Sequence, residues 1–181
     1  MPATDVEIER YKYPIGRFTR AAEYSSAEVA AFVDGIEALP VLMRQAVGEL
    51  DEAQLDTPYR PGGWTVRQVT HHVPDSHINA YVRMKLALTE PQPRILAYRE
   101  ELWALLADSD EPVGMSLSLL EALHRRWVCL LRSLDGDQWR RAYVHPELGV
   151  FPMQAAVALY DWHGRHHLAH VTELKRRQGW D

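Results

Sequence analysis

Two stretches of this chain carry the same helix-start signal. Ser25-Ser26-Ala27-Glu28 and Thr65-Val66-Arg67-Gln68 each place a hydroxyl residue three positions before Glu or Gln. That is a capping box, in which the side chains and backbone N–H groups satisfy each other. Behind the first, Val29, Phe32, Val33, Ile36 and Leu39 recur at helical spacing, which predicts a helix to about Leu50. Pro40 falls inside it, removes one backbone donor and predicts a bend or a split there. Behind the second, a helix is predicted from Val66 to about Leu88, where Pro91-Gln92-Pro93 stops it. Leu117, Leu120, Leu123, Trp127, Leu130 and Leu131 form the apolar face of a third, from about Met115 to Leu134. A last helix runs from about Met153 to Arg177 and ends near Gly179. The expected fold class is therefore all-α, an up-down four-helix bundle with connections short enough for antiparallel neighbours.

The remaining segments are shorter. Residues 1–24, polar and aromatic, read as an extended N-terminal arm lying on a single domain that spans 1–181. Residues 51–63 read as a loop, and 99–107 as a short helix. Residues 135–152 break the helical pattern. Ala142–His145 and Val150-Phe151 flank Pro146-Glu147-Leu148-Gly149, which suggests a small hairpin or an extended loop before the last helix.

At 181 residues, 46% of them hydrophobic, the chain can bury a core without disulfides or a structural metal. A bound metal would serve chemistry rather than folding. The net charge of −5 with no basic segment argues against nucleic acid as a partner. No stretch reaches the roughly 18 apolar residues of a membrane span. The N-terminus has no signal-peptide core, so the cytoplasm is the expected compartment. Cys129, in an apolar helical run, is expected to be a small buried hydrophobe.

The chemistry concentrates in Trp162-His163-Gly164-Arg165-His166-His167-Leu168-Ala169-His170, which holds four of the nine histidines. A helix turns by about 100° per residue, so His163, His167 and His170 share a stripe with Tyr160 at its edge. An i, i+4 histidine pair presents two imidazoles to one metal ion. A third ligand is available from His71-His72 on the second long helix. His72 shares a stripe with Ser76, Asn79 and Arg83, and His71 points about 100° away; spacing alone leaves the pair undecided. Asp161 lies off the ligand stripe, as a solvated or helix-pairing carboxylate. His77, His124 and His145 stand alone and read as structural histidines. There is no G-x-S-x-G, H-E-x-x-H, Gly-rich phosphate loop or Cys/His finger.

Several longer motifs resemble a known family. They are Tyr13-Pro14-Ile15-Gly16, the run from Leu55 to Glu90, Leu123-His124-Arg125-Arg126-Trp127, and the run from Tyr160 to Leu174. Together they resemble the DinB-like superfamily and, within it, the YfiT-like proteins described as metal-dependent hydrolases and bacillithiol transferases. The resemblance implies a four-helix bundle, usually a homodimer, with three histidines holding one zinc or nickel ion per chain. It selects His72 beside His163 and His167. Two positions depart from the pattern. Pro74 stands where a helix former is expected and predicts a kink near His72. Leu168 stands where the wider superfamily often has arginine.

A divalent ion lowers the pKa of a bound water toward about 7 and deprotonates a coordinated thiol. The leading expectation is transfer of a low-molecular-weight, bacillithiol-type thiol to an electrophilic small molecule. Hydrolysis by metal-bound water is the alternative, and a non-catalytic metal-binding bundle is a further one. No histidine outside the ligand set is an obvious general base, which favours thiol transfer. His77 and His170 are the catalytic candidates should hydrolysis need one. Six tryptophans and eight tyrosines exceed what a small core readily absorbs, in keeping with a dimer interface.

Overall fold

The structure, a computed structural model, describes residues 4–180. The first three residues of the expected arm, and Asp181, lie outside the described residues. Four long helices form the bundle: α2 (Ser26–Val47), α4 (Val66–Thr89), α6 (Val113–Arg132) and α8 (Met153–Gln178). Both predicted capping boxes are formed, at Ser25 and Thr65. Gly179 ends α8 in the left-handed conformation, at φ 65°, which costs glycine nothing.

The short elements follow the same capping rule. Thr4, Asp51 and Asp135 each close a capping box, with Glu7, Gln54 and Gln138, and open α1 (Asp5–Lys12), α3 (Glu52–Leu55) and α7 (Gly136–Trp139). The N-terminal arm is therefore helical over Asp5–Lys12 rather than extended. The 99–107 segment resolves into α5 (Glu100–Trp103) and a 3₁₀ turn over Ala107–Asp110. The hairpin is present: β1 (Ala142–His145) pairs antiparallel with β2 (Gly149–Pro152).

The direction of the helices corrects the simple up-down order. His71 of α4 bonds Ser116 near the start of α6, while Trp127 further along bonds Met84. Those two helices thus run parallel. Gly35 of α2 meets Asp161 of α8, and Leu39 meets Gly164, so α2 and α8 are parallel too. Arg44 pairs with Glu121, and Arg132 with Asp34 and Glu37, which makes α2 and α6 antiparallel. The order is up, down, down, up, with α2 and α4 on a diagonal between α6 and α8. Residues 90–112 make this possible by returning the chain along the bundle, which α4 spans in about 36 Å.

Two prolines lie inside long helices without ending them. α2 is continuous through Pro40 and α4 through Pro74. The predicted split at Pro40 is absent, yet the missing N–H has a consequence. The carbonyl of Ile36, which an N–H at position 40 would have engaged, accepts instead from His124 Nδ1 at 2.6 Å. Cys129 is exposed rather than buried. It lies on the solvent side of α6, whose core face is set by Leu117, Leu120, His124, Trp127, Val128 and Leu131.

The core is two apolar clusters. One gathers Val33, Ile36, Ala80, Met84, Trp127, Leu131, Met153 and Tyr160. The other gathers Leu39, Met43, Val66, Val69, Val73, Leu117, Leu120, Val171 and Leu174. Between them, at mid-height, lies a layer of histidines: His72 and His77 from α4, His124 from α6, and His163 and His167 from α8.

Gly164 sits within this layer, in the interval between the two α8 histidines. A Cβ there would lie 2.4 Å from Leu39 Cδ2, closer than any side chain tolerates. The Gly164→Val variant should therefore lose about 1–3 kcal/mol through overpacking. We expect a fall in Tm of about 5 °C and weaker metal binding, read by calorimetry and a chelator competition.

Candidate metal centre

His72 comes from α4, and His163 and His167 come from antiparallel α8. One ring nitrogen from each lies within 4.8 Å of the other two. The Nε2 atoms of His72 and His163 are 3.2 Å apart. Nitrogens bound at 2.0–2.1 Å around a tetrahedral ion would stand about 3.3 Å apart. His167 Nδ1 is buried without a hydrogen-bond partner, although buried polar atoms are nearly always paired. Three converging, closely spaced imidazoles fit a divalent cation. Pro74 does not keep His72 from this point, and Trp64 packs against the His72 ring at 4.7 Å.

Burial keeps the cluster neutral, and the histidines disfavour one another's charge. His72 is pushed down to about 4 by burial and by His166. His163 and His167 lie well below the ordinary histidine value, through burial and then through their neighbours. Neutral imidazoles keep a lone pair available, as metal ligation requires.

A cavity of about 410 Å³ opens at the three histidines. Tyr13, Tyr59, Trp64 and Trp162 give it aromatic walls, and Lys12, Arg60 and Glu100 add charge. A second cavity, of about 370 Å³, shares His163 and Glu100 with the first. It contains Ser76, Tyr98, Tyr160 and Arg83. Arg83 is buried and donates to the Leu96 carbonyl at 2.8 Å and to the Tyr160 hydroxyl at 3.4 Å. Glu100 is held above the usual carboxylate range by desolvation, then by Glu101 and Glu147. Sequence reasoning passed over Glu100, Trp64, Tyr59 and Arg60. They come from loops and a four-residue helix, where no periodicity marks the inward side.

The other histidines divide by their partners. His71 faces α6, with its ring nitrogens 2.7 Å from Ser116 Oγ and 2.8 Å from the Glu111 carbonyl. His170, a catalytic candidate, lines the first cavity. It donates from Nε2 to the Lys12 carbonyl at 3.2 Å, stacks on Tyr59 at 3.9 Å, and is pushed down to about 3 by burial and His166. His77, the other candidate, is fully buried behind His163 and bonded at both ring nitrogens. Asp161 is buried, paired with Arg165 and pressed against Gly35, so its role is helix pairing. Leu168 packs on the second apolar cluster.

The model of the DinB superfamily matches residues 36–171. A protein of Bacillus cereus (strain 03BB102) named "Putative metal-dependent hydrolase" is 52% identical over 169 residues, covering 93% of this chain and 98% of its own. A Bacillus anthracis (strain A0248) protein of the same name matches equally. Among solved structures, YfiT from Bacillus subtilis, described as a probable metal-dependent hydrolase with an unusual four-helix bundle topology, superposes with a TM-score of 0.92. It is 45% identical and covers 95% of this chain and 99% of its own. TT2238, a four-helix bundle protein, shares the fold at a TM-score of 0.54 and 20% identity, over 83% of this chain and 98% of its own.

Proposed function

The chain belongs to the DinB superfamily, and we propose that it is a metal-dependent enzyme that transfers a low-molecular-weight thiol to an electrophilic small molecule. The observation that carries this reading is the pair of cavities meeting at His163 and Glu100. Transfer between two small molecules needs two subsites beside one reactive centre; hydrolysis needs one subsite and water. Held by His72, His163 and His167, a zinc or nickel ion would supply a Lewis acid that favours the deprotonated nucleophile.

The chain's own residues supply the rest. Buried Arg83 offers guanidinium N–H groups to an anionic group on the thiol substrate. The aromatic walls of the first cavity pack against the electrophile. Lys12 and Arg60 face the charge that develops on its leaving group. His77 and His170 are each held by other hydrogen bonds and kept neutral by burial. His77 has no free ring nitrogen, and although His170 Nδ1 is unpartnered, burial and His166 lower its basicity to about 3, which supports a nucleophile that needs no strong base.

A second reading, hydrolysis, is favoured by Glu100. Its raised carboxyl lies between the two cavities, placed to take a proton from water. The names of the relatives point the same way.

The test is to load the purified protein with zinc or nickel and incubate it with a thiol and monochlorobimane. Metal-dependent formation of the S-conjugate, followed by mass spectrometry, is the expected result. Metal-dependent ester cleavage without thiol consumption, lost in Glu100→Gln, would select hydrolysis instead. The Arg83→Gln variant should raise KM for a carboxylate-bearing thiol about tenfold or more, the size of one charge-assisted bond. For an uncharged thiol KM should barely move.

A further inference from the structure

Behind the metal centre, a line of hydrogen bonds crosses all four long helices. The Ile36 carbonyl on α2 lies 2.6 Å from His124 Nδ1 on α6. His124 Nε2 lies 2.8 Å from His77 Nδ1 on α4. His77 Nε2 lies 3.1 Å from His163 Nδ1 on α8. His163 Nε2 then faces the ligand cluster. We propose that His124 and His77 are positioning residues that lock His163 in the Nδ1–H tautomer and leave its Nε2 lone pair free for the metal.

The polarity follows from the first acceptor. A carbonyl can only accept, so His124 must donate from Nδ1. A neutral imidazole carries one N–H, so His124 Nε2 is an acceptor. His77 must then donate from Nδ1 and accept at Nε2. His163 must donate from Nδ1 in its turn. One carbonyl thus fixes the proton positions of three histidines. Each is held as the Nδ1–H form, the minor tautomer of a free histidine side chain. His77 and His124 are 0% and 1% exposed, so water cannot substitute for a missing partner. Burial first, and then neighbouring histidines for His77, holds both below the ordinary histidine value, in keeping with one proton per ring.

Pro40 is the origin of the line. With an N–H at position 40, the Ile36 carbonyl would take part in the α2 ladder. Proline has none and its ring crowds that carbonyl, which leaves an acceptor facing the bundle interior. Metal-ligating histidines commonly donate their second nitrogen to a carboxylate or a carbonyl. Here the carbonyl sits three hydrogen bonds away, and two histidines carry its direction to the ligand.

The proposal rests on the three-histidine centre, but its first test does not need metal. Long-range ¹H–¹⁵N NMR of the metal-free protein reads the tautomers directly. His124, His77 and His163 should each be protonated at Nδ1; a proton on His163 Nε2 would overturn the proposal. The second test is the His124→Leu variant, which removes the acceptor for His77. His77 can then turn its proton toward His163 and push it into the blocked tautomer. Zinc affinity, by competition with a chelating dye, should fall about 10–100-fold, although residue 124 does not touch the metal. His124→Gln can donate to Ile36 and accept from His77, so it should recover part of the loss. Unchanged affinity in a folded His124→Leu protein would overturn the proposal. If that variant does not fold, the wild-type tautomers decide. Failure of the wild type to bind zinc would instead remove the metal-centre reading, with the tautomers still standing as measured.

Discussion

Replacing His163 by alanine should empty the metal centre and abolish turnover while the bundle stays folded. His163 lies within 4.8 Å of both other candidate ligands, so its loss leaves two imidazoles. A site with two neutral ligands loses a large share of its binding free energy, and metal occupancy at micromolar concentration should become undetectable. Activity should fall at least about a thousandfold, since in the proposed mechanism the reactive nucleophile depends on the ion. The fold should survive because two apolar clusters flank the histidine layer from above and below. The local penalty is a vacated ring and an unpaired His77 Nε2, about 1–3 kcal/mol for the lost partner. Helical circular dichroism should therefore be unchanged at 25 °C, with Tm lowered by several degrees. The His71→Asn variant is the control. It alters the histidine adjacent to a ligand, but one that faces Ser116 and Glu111, and it should retain full metal. Unfolding of His163→Ala on loss of metal would make the ion structural. Full activity without metal would end the three-histidine mechanism.

Much of this arrangement is legible from sequence, for identifiable reasons. The long helices are marked by capping boxes and a 3.6-residue apolar period, and the i, i+4 pair His163/His167 follows from the same geometry. The choice between His71 and His72 does not follow from it. Both are buried, and only the packing of α4 between α6 and α8 separates their directions. The parallel pairing of α4 with α6 is equally invisible, because periodicity carries no sense of direction. Pro40 looks like a defect in a helix until its orphaned carbonyl is seen to meet His124. His77 and His124 look like isolated structural histidines because their partnership joins residues 47 positions apart. Cys129 misleads in the opposite way: an apolar neighbourhood in sequence still has a solvent side on a helix.

The buried histidine layer also predicts an unusual acid lability. An unfolded histidine titrates near 6.5. In the folded protein burial holds His72 and His124 to about 4, and His77, His163 and His167 well below the ordinary value. His166 and His170 are lowered to about 4 and about 3. From about one unit above pH 6.5 neither state binds these protons, and stability is at its full value. As pH falls below 6.5 the unfolded chain takes them up and the native state does not, so stability declines toward pH 4. His124 alone should account for on the order of 3 kcal/mol by pH 4. Each such histidine can remove up to about 1.4 kcal/mol per pH unit, and all seven act in the same direction, so together they remove several kcal/mol per pH unit. That is comparable with the whole stability of a domain, about 5–15 kcal/mol. The metal-free protein should therefore unfold cooperatively with a midpoint between about pH 5 and 6, above the range in which carboxylate titration usually unfolds proteins. Zinc at about a thousand times its Kd adds about 4 kcal/mol, which should move the midpoint down by about half a pH unit. Circular dichroism at 222 nm across a pH series, with and without zinc, measures both effects. A metal-free protein still fully folded at pH 4.5 would contradict a layer of buried neutral histidines.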